Sequence, residues 1–306
     1  MVGGFLAGKT ILTGDRVLEF AVLGPMAVAA GGTPVTVPAK QRVVLAALLL
    51  RANRVVSAES IAEELWDADP PATARNTTQG YVNRLRQVLP TGRLITRAPG
   101  YLLEVRADEL DLDRFTRLCD RARLAAGRRD WQDAAGQYTD ALALWRGEPL
   151  ADVPAAVLQR IEVPRLHELR MQAVESRIDA ELHLGRHGEL VADLRQLTVD
   201  QPLREALHAQ LMLALYRSGR QAEALEVFRA IDGRLRDEVG ISPGPALQQL
   251  HQRILSADPA LTSGPGCLGP VRAWPGPRAR APARDDHGCQ ASPASATLRQ
   301  NSQPAH

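Results

Sequence analysis

Polar and apolar positions alternate first at Leu18, Phe20 and Val22, and the alternation stops at Gly24-Pro25, which predicts a strand and a turn. Gly31-Gly32 and Pro34 punctuate a second short strand, placed around Val35 and Val37. The period then lengthens: Val44, Leu45, Leu48 and Leu49 share one side of a helix over about 39–52. Ser57 is a good N-cap for a short helix through Ile61, Leu65 and Trp66, which Asp69-Pro70-Pro71 breaks. Thr73 is expected to cap a long helix, 74–89, with Thr78, Val82, Leu85 and Leu89 on one side and Pro90 and Gly92 at its end. Two strands follow, 94–97 and 101–105, joined by the hairpin tip Ala98-Pro99-Gly100. Strand pair, three helices and hairpin within residues 17–106 predict a winged helix-turn-helix.

From Asp111 nearly to Ser256 the pattern is helical, and it repeats. Gly185-Arg186 and Gly219-Arg220 lie 34 residues apart, the tetratricopeptide period. In that register Val191 matches Leu225, Leu194 matches Phe228, and Leu197 matches Ile231. The run Gly127, Trp131, Ala134, Tyr138, Ala141, Leu142 has the small-and-large alternation of such a helix pair, while Gly240 and Ser242-Pro243 mark a stop and a fresh start. The fold class is therefore mainly α with small antiparallel β: an N-terminal winged helix-turn-helix (17–106), then an all-α tetratricopeptide-like domain (107–257). Stacked helix pairs make a groove suited to a protein or ligand. Residues 1–16 form no convincing element. Beyond Leu261 the composition turns to Pro, Gly, Ala, Arg and Ser without an apolar period, so 258–306 is expected to be a disordered tail.

Charge sharpens this picture only when its distribution is followed. Across 306 residues the net charge is only +2. Yet residues 75–106 hold six Arg (75, 84, 86, 93, 97 and 106) against one acid, Glu104. Just before them stand Glu59, Glu63, Glu64, Asp67 and Asp69 with no base among them. A basic edge beside an acidic one is expected. The acidic set would repel DNA, so it is turned away, either solvated or presented to a basic protein.

The helix 74–89 carries the most specific chemistry. Opposite its apolar side lie Asn76, Gly80, Asn83, Arg84 and Gln87, flanked by Arg75, Gln79, Tyr81 and Arg86, with no carboxylate. A solvated surface helix usually mixes Glu and Asp with its Arg to gain i,i+4 pairs. Amides and guanidinium groups instead match base edges and phosphate. Asn76, Asn83, Arg84 and Gln87 are assigned to base edges; Arg75, Tyr81, Arg86 and Arg97 mainly to phosphate. Thr96 and Arg97 at the hairpin are expected to touch DNA as the wing. Thr78 sits where a larger apolar residue would pack better.

Other chemistry is weaker. Gly3, Gly8, Lys9 and Thr10 satisfy G-x-x-x-x-G-K-[ST]. Only Met1 and Val2 precede the match and Thr13-Gly14-Asp15 follows at once, so the strand and helix of a phosphate-cradling loop are not predicted. Trp66, Trp131 and Trp145 read as core. His183 and His187 are four apart without a third metal ligand nearby, and Cys119, Cys267 and Cys289 form neither a disulfide framework nor a zinc site. No metal, no cofactor and no catalysis are expected. No apolar run approaches membrane-spanning length and no secretory start is present, which points to the cytoplasm.

Phe20-Ala-Val-Leu-Gly-Pro25, Ala74-Arg-Asn76, Tyr81-Val-Asn-Arg-Leu-Arg86 and Pro99-Gly-Tyr101 together resemble the Streptomyces antibiotic regulatory protein family. Ala141-Leu-Ala-Leu-Trp-Arg-Gly-Glu-Pro-Leu150, Gly219-Arg-Gln-Ala-Glu-Ala-Leu225 and Glu238-Val-Gly-Ile-Ser-Pro-Gly-Pro-Ala-Leu247 are similar to its bacterial transcriptional activator domain. The resemblance covers about 17–255. It implies an OmpR-type winged helix whose recognition helix is 74–89, and activation of secondary-metabolite gene clusters. It also implies double-stranded promoter DNA with tandem direct repeats as a partner, a dimer on that DNA, and RNA polymerase holoenzyme at the bacterial nucleoid. Asp67 and Asp69 fall in the loop that would face polymerase. The large regulators of that family add a nucleotide-hydrolysing module after the activator domain; neither that module nor a phospho-acceptor receiver domain is expected from these residues, so ATP switching is not implied. The alternative is a tetratricopeptide-type interaction scaffold without DNA readout.

Overall fold

The computed structural model describes residues 17–67 and 69–262. The expected N-terminal extension with its phosphate-loop match, and the tail beyond Thr262 with Cys267 and Cys289, lie outside them. Strand β1 (Leu18–Ala21) pairs antiparallel with β2 (Ala27–Ala30), which pairs with β3 (Thr33–Pro34). Helices α1 (Ala39–Leu49), α2 (Ala58–Trp66) and α3 (Ala74–Val88) follow, with β4 (Val55–Ser57) between the first two. Strands β5 (Leu94–Arg97) and β6 (Gly100–Leu103) form the hairpin, and the second sheet has the order β4-β6-β5. Then come α4 (Asp111–Gly127), α5 (Trp131–Leu142), α6 (Ala156–His183), α7 (His187–Asp200), α8 (Glu205–Arg217), α9 (Gln221–Val239) and α10 (Pro245–Leu255).

Local chemistry accounts for most boundaries. The Ser57 hydroxyl accepts from the Ser60 amide at 3.0 Å and caps α2. Asp67 ends that helix in the left-handed region at φ 48°. Gly185 and Gly219, at φ 82° and 76°, close α6 and α8 at equivalent points of the 34-residue period. Gly100 is required by close approach: a Cβ there would lie 1.9 Å from the Val56 carbonyl oxygen of the neighbouring strand.

Several expectations are corrected. The second strand is Ala27–Ala30, not the stretch around Val35 and Val37; only the Val35 amide joins it, bonding Val28 O at 2.8 Å. Thr73 makes no capping bond: its φ of −89° and ψ of 1° depart from the extended backbone of a capping residue, and the Ala74 amide bonds Pro71 O at 2.8 Å. α1 stops at Leu49, and Pro245 rather than Pro243 takes the first turn of α10. A short 3-10 turn, Pro259–Leu261, follows α10; Leu261 is fully buried and its carbonyl accepts from Arg217 Nε at 2.8 Å, so order extends past the expected boundary at 257.

The boundary at 106/107 is not a loose linker. One continuous apolar core runs from Leu18 through the winged helix to Ala173 on α6, including Phe115, Trp145, Leu150 and Leu158. The Phe20 amide bonds Glu109 O at 2.6 Å, and Arg146 and Leu150 amides bond the carbonyls of Leu23 and Gly24, both at 2.8 Å. The Asp111 carboxylate, buried at the start of α4, accepts from the Val22 amide at 2.9 and 3.0 Å and from the Leu23 amide at 3.0 Å. Burial raises its pKa above the ordinary value; the two amides oppose that rise. Asp152 does a similar job, accepting from the Met26 amide at 2.7 Å and pairing with Arg42.

Trp66, Trp131 and Trp145 pack as expected. Trp145 meets Phe115 edge-on at 5.5 Å, Trp131 stacks on His183 at 3.9 Å, and Trp66 lies half-buried against the core. Cys119 is buried, which pushes its thiol up to about 11.

Candidate nucleic-acid interface

α3 presents two faces because its sequence has two. Ala74, Thr78, Val82 and Leu85 are buried on α3, with Leu89 just beyond it, against α1 and α2. Arg75, Asn76, Gln79, Asn83, Arg84, Arg86 and Gln87 are exposed, and Tyr81 is half-buried. Eight of the predicted contact residues therefore share this one helix, and seven of them are fully outward. Thr78 is the flaw in its inner face: wholly buried, with a hydroxyl that has no hydrogen-bond partner.

The wing stands beside α3. Thr96 and Arg97 are exposed on β5, paired with Tyr101 and Gly100 of β6. Arg86 joins helix to wing. Its Nε donates to Leu94 O at 3.0 Å, Nη2 to Thr96 Oγ1 at 2.6 Å and Nη1 to Asn83 Oδ1 at 3.1 Å, while its guanidinium carbon lies 6.0 Å from the Tyr101 ring centre. By contrast Arg75, Arg84 and Arg97 make no side-chain hydrogen bond or ion pair within the described residues. Two unpaired guanidinium groups on the carboxylate-free face of α3, and a third on the wing, form a positive surface held open to solvent.

Two expectations about charge are corrected. Arg93 does not belong to the basic edge: it is buried, bonds Glu104 O at 3.2 Å and pairs with buried Glu109. The acidic set is also divided. Glu59, Glu63 and Asp69 are exposed, but Glu64 is buried, 3.3 Å from Arg51, with Oε2 lacking a partner. Its burial lifts the carboxyl above the usual range, outweighing Arg51. Asp67 reaches Arg160 of α6 at 3.6 Å, so this loop residue faces the chain's own helical domain. Neither a net charge nor a local run reveals partners ninety residues away.

Among the described residues no group of three or more His, Cys, Asp or Glu is arranged to hold a metal ion, and no helix is long and apolar enough to cross a membrane. His183 stacks on Trp131 and places Nδ1 2.7 Å from the Asp179 carbonyl oxygen.

The fold and its exposed helix define a winged-helix regulatory domain fused to an all-helical partner domain. Residues 32–103 match the family model "Transcriptional regulatory protein, C terminal", and residues 110–255 match "Bacterial transcriptional activator domain". Regulatory protein AfsR of Streptomyces coelicolor is 46% identical over 246 residues, covering 80% of this chain and 25% of that protein. Regulatory protein DnrI of Streptomyces peucetius is 37% identical over 256 residues, covering 80% of this chain and 94% of that protein. Among solved structures, Mycobacterium tuberculosis EmbR in complex with a low affinity phosphopeptide superposes with a TM-score of 0.76 at 34% identity, covering 81% of this chain and 69% of that one. The chain belongs to the Streptomyces antibiotic regulatory protein family. It spans about a quarter of the length of the AfsR relatives.

Proposed function

We propose that this protein is a sequence-specific DNA-binding transcriptional activator that lays α3 in the major groove and β5–β6 along the adjacent backbone. The observation that carries this reading is the exposed face of α3, with its amides, its guanidinium groups and no carboxylate. Asn76, Gln79, Arg84 and Gln87 meet base edges; Arg75, Tyr81, Thr96 and Arg97 hold phosphate and sugar. Two copies on direct repeats spaced by about 10–10.5 base pairs address one face of the duplex. The regulatory names of AfsR and DnrI support a regulatory role. In this reading the targets are promoters of a secondary-metabolite cluster, where the protein recruits RNA polymerase in the bacterial nucleoid. Asp69, exposed and without an ion-pair partner among the described residues, and Asp67, exposed and 3.6 Å from Arg160, are the loop acids offered to polymerase.

A salt titration of binding to promoter duplex tests the reading. Affinity should fall steeply, with a log–log slope of about −0.9 for each phosphate neutralised. Arg84→Ala should weaken binding by about 1–3 kcal/mol and relax one position of the site, while Arg75→Ala should weaken all sequences and flatten the slope. A protein that binds no duplex, but captures a peptide in its helical groove, would replace this reading with a scaffold.

A further inference from the structure

We infer that Arg86 is a positioning residue that commits Asn83 to read guanine, and this inference rests on the DNA-binding reading above. Asparagine normally recognises adenine bidentately, its amide NH2 donating to N7 and its oxygen accepting from the exocyclic N6 amine. That requires an outward-facing oxygen. Here the Asn83 oxygen is held by Arg86 Nη1 at 3.1 Å. A guanidinium has donors and no acceptor, so the orientation of the amide is fixed by chemistry: oxygen inward, NH2 outward.

The outward NH2 then leads with two hydrogens, while the oxygen has one of its two lone pairs taken by Arg86 and is turned back toward it. A guanine edge presents O6 and N7, two acceptors side by side, and suits it. Adenine places an N6 amine where O6 would be, setting donor against donor.

Arg86 is itself immobilised. Three of its five N–H groups are engaged, by Asn83, by the Leu94 carbonyl and by the Thr96 hydroxyl, and its guanidinium sits over the Tyr101 ring. A side chain so held does not reach out to track phosphate, as the sequence pattern alone suggested for it. It transmits the wing's position to a base-reading amide instead, so that wing and helix read as one unit.

The test is selection of bound duplexes from a library with a randomised stretch, using the full chain and its variants. The wild type should select guanine at one position of the site. Asn83→Asp keeps an oxygen for Arg86 but turns an acceptor outward, so that position should switch to a base bearing an exocyclic amine, cytosine or adenine. Arg86→Ala and Arg86→Lys should each relax the guanine preference about tenfold, with the salt slope unchanged. Thr96→Val should weaken binding to all duplexes alike but retain the guanine preference, because the Asn83–Arg86 bond does not depend on the Thr96 hydroxyl. Adenine at the position lost in Asn83→Ala would overturn this assignment and leave DNA binding standing. So would Arg86→Ala flattening the salt slope by about one with every base preference intact, because that is the signature of a phosphate contact. Selection of no duplex by the wild type would overturn the DNA-binding reading and this assignment with it.

Discussion

Replacing Asp111 by alanine should partly uncouple the winged helix from the helices that follow. The carboxylate accepts three hydrogen bonds from two amides, Val22 and Leu23, whose residues are fully buried. Alanine leaves both N–H groups without an acceptor and too deep for water. Each orphaned donor costs about 1–3 kcal/mol, and relief of the buried carboxylate's own desolvation offsets part of the sum. The expected loss is about 3 kcal/mol, a large share of the 5–15 kcal/mol, roughly, that a domain usually has. Urea unfolding followed by circular dichroism measures it: with a slope of about 3 kcal/mol/M, the midpoint should fall by about 1 M. Asp111→Asn retains one oxygen and should lose about half as much. Amide exchange at Val22 and Leu23 should accelerate in the alanine variant, while the amides of α8, far along the chain, should change least. A midpoint shift under a few tenths of a molar, with slow exchange at both amides, would refute the role given to this carboxylate.

Three further outcomes follow from the same geometry. Thr78→Val removes a buried hydroxyl that has no partner, and should stabilise the protein by about 1 kcal/mol, read as a Tm higher by about 2–4 °C in calorimetry. Gly100→Ala drives a Cβ into the Val56 carbonyl, which is backbone and cannot swing aside; about 2 kcal/mol or more of stability should go, together with the β4–β6 pairing seen by amide exchange. Glu64 gives a pH signature. Its folded-state pKa is raised above 4.5 by burial, so the folded protein binds more protons than the unfolded chain between the two values, and this group's contribution to stability declines as pH rises through that window. Lowering pH from about 8 to about 5 should therefore raise the wild-type urea midpoint relative to Glu64→Gln; parallel curves would show that burial does not control this carboxyl.

The periodic parts of the chain were legible and the long-range ones were not. α3 declares itself because Thr78, Val82, Leu85 and Leu89 recur at helical spacing against an uninterrupted polar side. β2 is hidden because Ala27, Ala29 and Ala30 give alternation too little contrast, while Val35 and Val37 beyond it look more strand-like. Formal charge misassigned Arg93 and Glu64, since a letter does not say whether a guanidinium meets Glu109 or a carboxylate meets Arg51. Arg86 was correctly placed on the exposed side, yet its bonds to Leu94 and Thr96 depend on a wing eight and ten residues away. Repeat register was readable at Gly185 and Gly219 because left-handed helix ends select glycine. The fusion of the two domains passes through Asp111 and Asp152, two ordinary acids in a sequence with many.

The small sheet β1–β3 changes how this regulator would be rebuilt. Strand β1 and the turn after it sit in the N-terminal part of the sequence, but their backbone is clasped by Glu109, Asp111, Arg146, Leu150 and Asp152, all beyond residue 106. A chimera cut at residue 106 would tear those clasps apart and graft a foreign sheet onto mismatched acids. A shorter exchange from α1 to β6, residues 39–103, would keep the recipient's own sheet but must match Arg42, Asp67 and Arg93 to partners outside it, Asp152, Arg160 and Glu109. Engineers seeking a new promoter specificity would swap that insert and leave the pedestal alone.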